Sequence, residues 1–147
     1  MDQATKDAIT EIDSLIGGHY STIDMLLQKR ISLIPGDASD KELAARILAF
    51  IEKEFANENM CVEFIAAEFS LSFPRVSTLI NKYLGAGLPT LVNTRRIQKA
   101  KLMMSTTDKS IKQIAYACGF EDSHFFSRTF RRLTGMTATE FQEGKAA

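Results

Sequence analysis

A chain of 147 residues, 45% apolar and 24% charged, is one domain's worth with room for an appended segment, and it is apolar enough to bury a core. Its formal net charge of zero excludes wholesale attraction to nucleic acid, but the charge is unevenly laid out. Residues 1–43 carry four Lys/Arg against eight Asp/Glu, a balance of −4, whereas residues 70–132 carry eleven against three, a balance of +8. An acidic leader on a basic body is the asymmetry expected of a DNA-binding module with an interaction segment attached. No run of 18 apolar residues exists, so no membrane partner is expected. The opening MDQATKDAIT has no basic region followed by an apolar core, so no secretory leader is expected and the place of action is expected to be cytoplasmic. Cys61 and Cys118, each on an apolar helical stripe, read as small buried hydrophobes rather than a disulfide or metal pair.

In chain order, residues 2–16 read as a short amphipathic helix with Ala8, Ile9, Ile12, Leu15 and Ile16 on one side, broken by Gly17-Gly18. Residues 20–34 form a second helix, with Ile23, Leu26, Leu27, Ile31 and Ile34 apolar. Both are too apolar on one face to stand alone, so residues 1–38 are expected to pack on the main body, to hold a protein partner or to self-associate. Pro35-Gly36-Asp37-Ala38 reads as the linker. Ser39, with Glu42 three residues on, is a capping box opening a helix through Phe55, with Leu43, Ile47, Phe50, Ile51 and Phe55 as its core stripe. A helix over about residues 61–69 follows, offering Phe64 and Ile65 to the core. Pro74 suits the first turn of the next helix, where no amide donor is needed. That helix presents Arg75, Ser77, Thr78, Asn81 and Lys82, of which Arg75 and Lys82 suit phosphate as well as bases. Pro89 opens a long helix to about Ser105, a rigid strut with Arg95, Arg96, Lys99 and Lys101 set around Val92, Ile97, Ala100 and Met103.

The richest stretch is residues 111–141. Ser110 followed by Gln113 is a second capping box. Its helix buries Ile111, Ile114, Ala115 and Cys118 and is stopped by Gly119, where the chain needs the left-handed conformation. Phe126 and Phe130 of the next helix point inward, and Ser123, His124, Ser127, Arg128, Arg131 and Arg132 outward. Small Ala115 lets the two helices cross closely, as a helix-turn-helix requires. Short polar groups plus arginine are what a major groove accepts. The pattern occurs twice: Ile65-Ala66 lies 49 residues before Ile114-Ala115, and Val76-Ser77, Ile80, Gly85 and Leu91 lie 50 before Phe126-Ser127, Phe130, Gly135 and Phe141. The one-residue difference falls in the turn, where an insertion costs least.

These residues resemble the DNA-binding domain of the AraC/XylS family of transcription regulators, over about two-thirds of the chain. Gly119-Phe120, Phe126-Ser127-Arg128, Phe130-Arg131-Arg132 and Gly135 fall where the family has its GF, FSR, aromatic-basic-basic and glycine positions. Departures are Ser70 for the glycine of the first turn, Ile80-Asn81 for Phe-Lys, Ala138 for proline and Gln142 for arginine. The resemblance implies two recognition helices in successive major-groove segments, held by the long helix, and activation through RNA polymerase. It also puts Arg96 in the family's arginine position, where phosphate contact and pairing inside the fold are both open.

The expected fold is therefore all-α: a helical segment over 1–38, a first helix-turn-helix subdomain over 39–88, a linker helix over 89–105 and a second subdomain over 106–147. The expected activity is sequence-specific binding of double-stranded DNA and regulation of transcription. Its candidate residues are Pro74, Arg75, Ser77, Thr78, Asn81 and Lys82 in the first head and Ser123, His124, Ser127, Arg128, Arg131 and Arg132 in the second. Arg128 is the expected guanine reader, its alternative being a pair with Glu121 or Asp122; Arg131 and Arg132 are expected on phosphate. The competing reading is a helical protein-interaction module or anti-activator with weak or no DNA binding. Nothing points to an enzyme, metal or cofactor: His19 and His124 are far apart, and there is no phosphate loop or nucleophile elbow.

Overall fold

The computed structural model describes residues 20–146, so the expected helix at 2–16 and its glycine break lie outside the described residues. The described residues are helical throughout, with no strand. In order they form α1 (Tyr20–Leu33), α2 (Ala38–Glu54), α3 (Val62–Phe69), α4 (Phe73–Leu79) continued by a π-helical turn (Ile80–Leu84), α5 (Leu88–Thr106), α6 (Ile111–Ala117), α7 (Ser123–Thr134) and α8 (Ala138–Ala146). They fall into two compact units that interleave along the chain: the described residues through Glu52 with Cys61–Leu88, and Lys53–Met60 with the described residues from Pro89 onward. The long helix α5 belongs to the second unit along nearly its whole length, because Ile97, Ala100 and Met104 are part of that unit's core.

In the first unit, α2 is capped by Asp37 rather than Ser39: the Ser39 amide donates to Asp37 Oδ1 at 2.6 Å. The carboxylate two residues upstream reaches the free amides first, so the helix starts two residues earlier than the Ser-Glu pattern implies. α2 buries Ala44, Ile47, Leu48 and Ile51. Phe50 stacks on Phe64 and meets Phe69 edge-on, each at 5.7 Å between ring centres. Val76, Leu79, Ile80, Tyr83 and Leu84 complete the core from α4 and its π turn. The chain crosses Tyr83 at Gly36, where an added Cβ would collide with the phenol hydroxyl. The described part of the leader, α1, is built into this unit: it packs on the π turn and buries Ile31. Its other face is open, with Met25, Leu26 and Leu33 exposed at 70%, 52% and 70%. Leu26 therefore faces out. Cys61 is likewise exposed, because it precedes α3 as its N-cap rather than lying on its buried stripe.

The second unit has a core of Ile97, Ala100, Met104, Ile114, Ala115, Cys118, Phe120, Phe126, Phe130 and Ala138. Its rings run in series: Phe120 to Phe126 at 5.2 Å, Phe126 to Phe130 at 5.8 Å and Phe130 to Phe141 at 5.7 Å. Cys118 is the buried hydrophobe the stripe implies, with burial pushing its thiol up to about 11.

The two motifs solve the same turn with different residues. Ser70 ends α3 at φ 55°, ψ 43°, and Gly119 follows α6 at φ 102°. Ser70 is exposed, so its Cβ stands in solvent and only backbone strain is incurred. Gly119 is buried, and a Cβ there would lie 2.6 Å from the carbonyl oxygen of Ala56. Serine is tolerable at the first site and no side chain fits the second. Opposite signs are expected: Ser70→Gly stabilises by about 0.5–1 kcal/mol, while Gly119→Ala destabilises by about 2–4 kcal/mol. Urea unfolding midpoints at unchanged slope measure both.

Candidate nucleic-acid interface

The second helix-turn-helix is organised from its buried side outward. Ser110 and Gln113 form the reciprocal capping box, with Gln113 N–H donating to Ser110 Oγ at 3.1 Å and Ser110 N–H to Gln113 Oε1 at 2.9 Å. Lys99 donates to the Ala117 carbonyl at 3.1 Å and so places a cation at the other end of α6. α7 is capped by Asp122, whose carboxylate accepts from His124 N–H at 2.8 Å. Phe126, Thr129 and Phe130 lock the inner face of α7. Outside lie His124, Ser127, Arg128, Arg131 and Arg132, exposed, and Ser123, half-buried.

Among the described residues no carboxylate lies within ion-pair distance of Arg128, Arg131 or Arg132. Asp122 is occupied as the helix cap, so the alternative pairing of Arg128 is not formed. Ser127 Oγ donates to the Ser123 carbonyl at 3.0 Å, which keeps that hydroxyl close to the helix. Arg132 lines a shallow cleft with Thr90 and Asn93, beside Phe125 and Leu133. The result is a helix face with three uncommitted guanidinium groups within two turns.

The first head is chemically different. Ser72 caps α4, its Oγ accepting from Arg75 N–H at 3.2 Å, and Pro74 sits in the first turn as the sequence allows. Arg75 is not a free cation: its guanidinium is paired with Asp40 of α2. That hydrogen bond holds the Asp40 carboxyl below its usual range and raises Arg75. The pair is complete above the ordinary carboxylate range and is lost as pH falls through the depressed Asp40 value. Asn81 turns its amide back onto the Ser77 carbonyl at 2.9 Å. Lys82 lies over the Tyr83 ring at 5.1 Å. Thr78 and Pro74 are exposed without such ties, and Phe73, the first residue of α4, is 48% exposed. The sequence reading assigns Phe73 no role. The 50-residue offset of the repeat carried the signal, because it places Phe73 on Ser123.

Arg96 is turned into the second unit. Its Nε donates to the Phe55 carbonyl at 2.8 Å, its Nη2 to the Asn57 carbonyl at 2.9 Å, and its plane lies 5.5 Å over Phe120. Burial lowers its affinity for the proton, but two backbone acceptors and an aromatic face keep the cation satisfied.

A family model described as a helix-turn-helix domain matches residues 65–144. The HTH-type transcriptional activator RhaS of Salmonella schwarzengrund is 32% identical over 123 residues, covering 84% of this chain. The chain spans 44% of that relative's length. Among solved structures, a transcriptional regulator of the AraC-type DNA-binding-domain proteins from Chromobacterium violaceum is similar at TM-score 0.63 and 26% identity, covering 75% of this chain and 97% of that one. A DNA-binding transcriptional dual regulator from Escherichia coli K-12 is similar at TM-score 0.62 and 27% identity, covering 71% and 92%.

Removing the Arg96 guanidinium leaves two carbonyls of the 53–60 segment without their donor. Arg96→Met, which keeps most of the stem, is expected to destabilise the chain by about 2–4 kcal/mol. Thermal and urea unfolding check this. An unchanged midpoint would mean that the Phe55 and Asn57 carbonyls find other donors.

Proposed function

Because this chain belongs to the AraC/XylS-type helix-turn-helix family, we propose that it binds double-stranded DNA sequence-specifically and regulates transcription, in the direction of activation. The observation that carries this reading is the outer face of α7. Its inner face is fixed by Phe126 and Phe130, so three arginines, His124 and Ser127 are presented by a rigid helix without competing carboxylates. A face of that kind suits a major groove, where arginine meets the two acceptors of guanine together.

In this proposal α7 reads bases with Ser123, His124, Ser127 and Arg128, while Arg131 and Arg132 meet phosphate. The first head adds Pro74, Thr78 and Lys82, with Arg75, Ser77 and Asn81 held by internal partners in the unbound chain. The two heads engage successive major-groove segments of one site, so no dimer symmetry is needed in the operator. Activation proceeds by contact with RNA polymerase. Residues 1–38 supply regulation through a protein partner or a second copy, which the exposed Met25, Leu26 and Leu33 of α1 support. A cytoplasmic place of action goes with this activity, and no helix among the described residues is long and apolar enough to cross a membrane.

Selection of bound duplexes from a random pool yields the operator. Against single-base operator variants, Arg128→Ala is expected to lose preference at one base-pair position, a contact that discriminates by about 1–3 kcal/mol. Arg132→Ala is expected to weaken all sequences about equally and to flatten the dependence of log affinity on log salt by about one unit. Equal losses on every operator for Arg128→Ala would move it to the backbone. Salt-independent association with duplex DNA would favour the protein-interaction reading instead.

A further inference from the structure

The first reading head carries an aromatic ring where the second carries a hydroxyl. Residues 73, 74, 77, 78 and 81 share one side of the first recognition helix at spacings i, i+1, i+4, i+5 and i+8. A shift of 50 places them on Ser123, His124, Ser127, Arg128 and Arg131, the face assigned above to DNA. Phe73 thus stands at the N-terminal tip of the reading face. It is 48% exposed, although it lies beside a core that buries Val76, Leu79 and Ile80 almost completely.

Neither capping nor ring packing explains that exposure. Ser72 already caps α4, and among the described residues no aromatic ring or cation lies against Phe73. The polar members of the same face are committed elsewhere: Asn81 to the Ser77 carbonyl, and Arg75, on the flank, to Asp40. What remains toward a ligand is the Phe73 ring, the Pro74 ring and the methyl-bearing Thr78. This is an apolar tip on a helix of otherwise short polar groups. In a major groove the one apolar feature of the base edges is the 5-methyl group of thymine, and phenylalanine and threonine methyls are its natural contacts.

We propose that Phe73 is a specificity-determining residue that selects thymine through its 5-methyl group, making the first head a methyl reader and the second a guanine reader. This rests on the DNA-binding reading above. The full chain is used to select duplexes from a random pool, and each thymine of the selected site is then replaced singly by deoxyuridine, which removes the methyl and leaves every hydrogen-bonding group in place. Wild-type affinity is expected to fall by about fourfold at one or two thymines, the worth of one methyl removed from water. Phe73→Ala is expected to bind the intact site more weakly by a similar factor and to show no further loss at those positions. Phe73→Leu, apolar and equally compatible with the helix start, is expected to retain part of the sensitivity. A uracil scan silent at every thymine overturns the inference while leaving DNA reading intact. So does full uracil sensitivity in Phe73→Ala. Failure of the full chain to enrich any duplex overturns both.

Discussion

The second helix-turn-helix depends on how the segment over residues 53–60 is held. Three consecutive residues, Phe55, Ala56 and Asn57, present their backbone to groups that can take it only in one arrangement. Arg96 donates to the first and third carbonyls, and the second presses on Gly119, where any Cβ would be 2.6 Å away. The same arginine covers Phe120, the residue after that glycine, and Lys99 lies 5.9 Å over the Phe55 ring. The turn glycine is thus fixed twice, by its positive φ and by a carbonyl seated on its bare Cα. Loosening either contact would shift the angle at which α7 leaves the turn, and with it every outward side chain.

Rigid presentation then lets electrostatics act. α7 shows arginines free of carboxylate partners: Asp122 serves the helix start, and Glu121 makes no ion pair with them. α4 shows the opposite economy: its arginine is paired and its asparagine is folded back, leaving an apolar tip. The repeated motif presents a strongly cationic face in one unit and a weakly charged one in the other, with buried residues at the same inward positions. The two turns differ in step with burial, serine where the Cβ meets solvent and glycine where it would meet backbone.

How far the sequence reveals this depends on the range of each interaction. The capping box of α6, the glycine turn and the inward pair Phe126 and Phe130 are local patterns, readable from spacing of three or four residues. The start of α2 was less legible, since Asp37 and Ser39 compete for the same amides and only geometry decides. Arg96 stayed open because its partners are backbone carbonyls 39 and 41 residues away, and a carbonyl has no sequence signature. The Arg75 pair crosses 35 residues to an ordinary surface aspartate. The exposure of Cys61 runs against its expected burial because apolar character predicts burial only on average, and a residue just before a helix is not on that helix's buried stripe.

The central claim is that two short helices of unlike chemistry both engage DNA. Backbone amide NMR spectra of the full chain, recorded while a selected operator duplex is added, test it most directly. The account predicts shifts concentrated at residues 73–82 and 123–132, with the outer face of α1 unaffected. Shifts confined to α1, with both recognition helices silent, would contradict it.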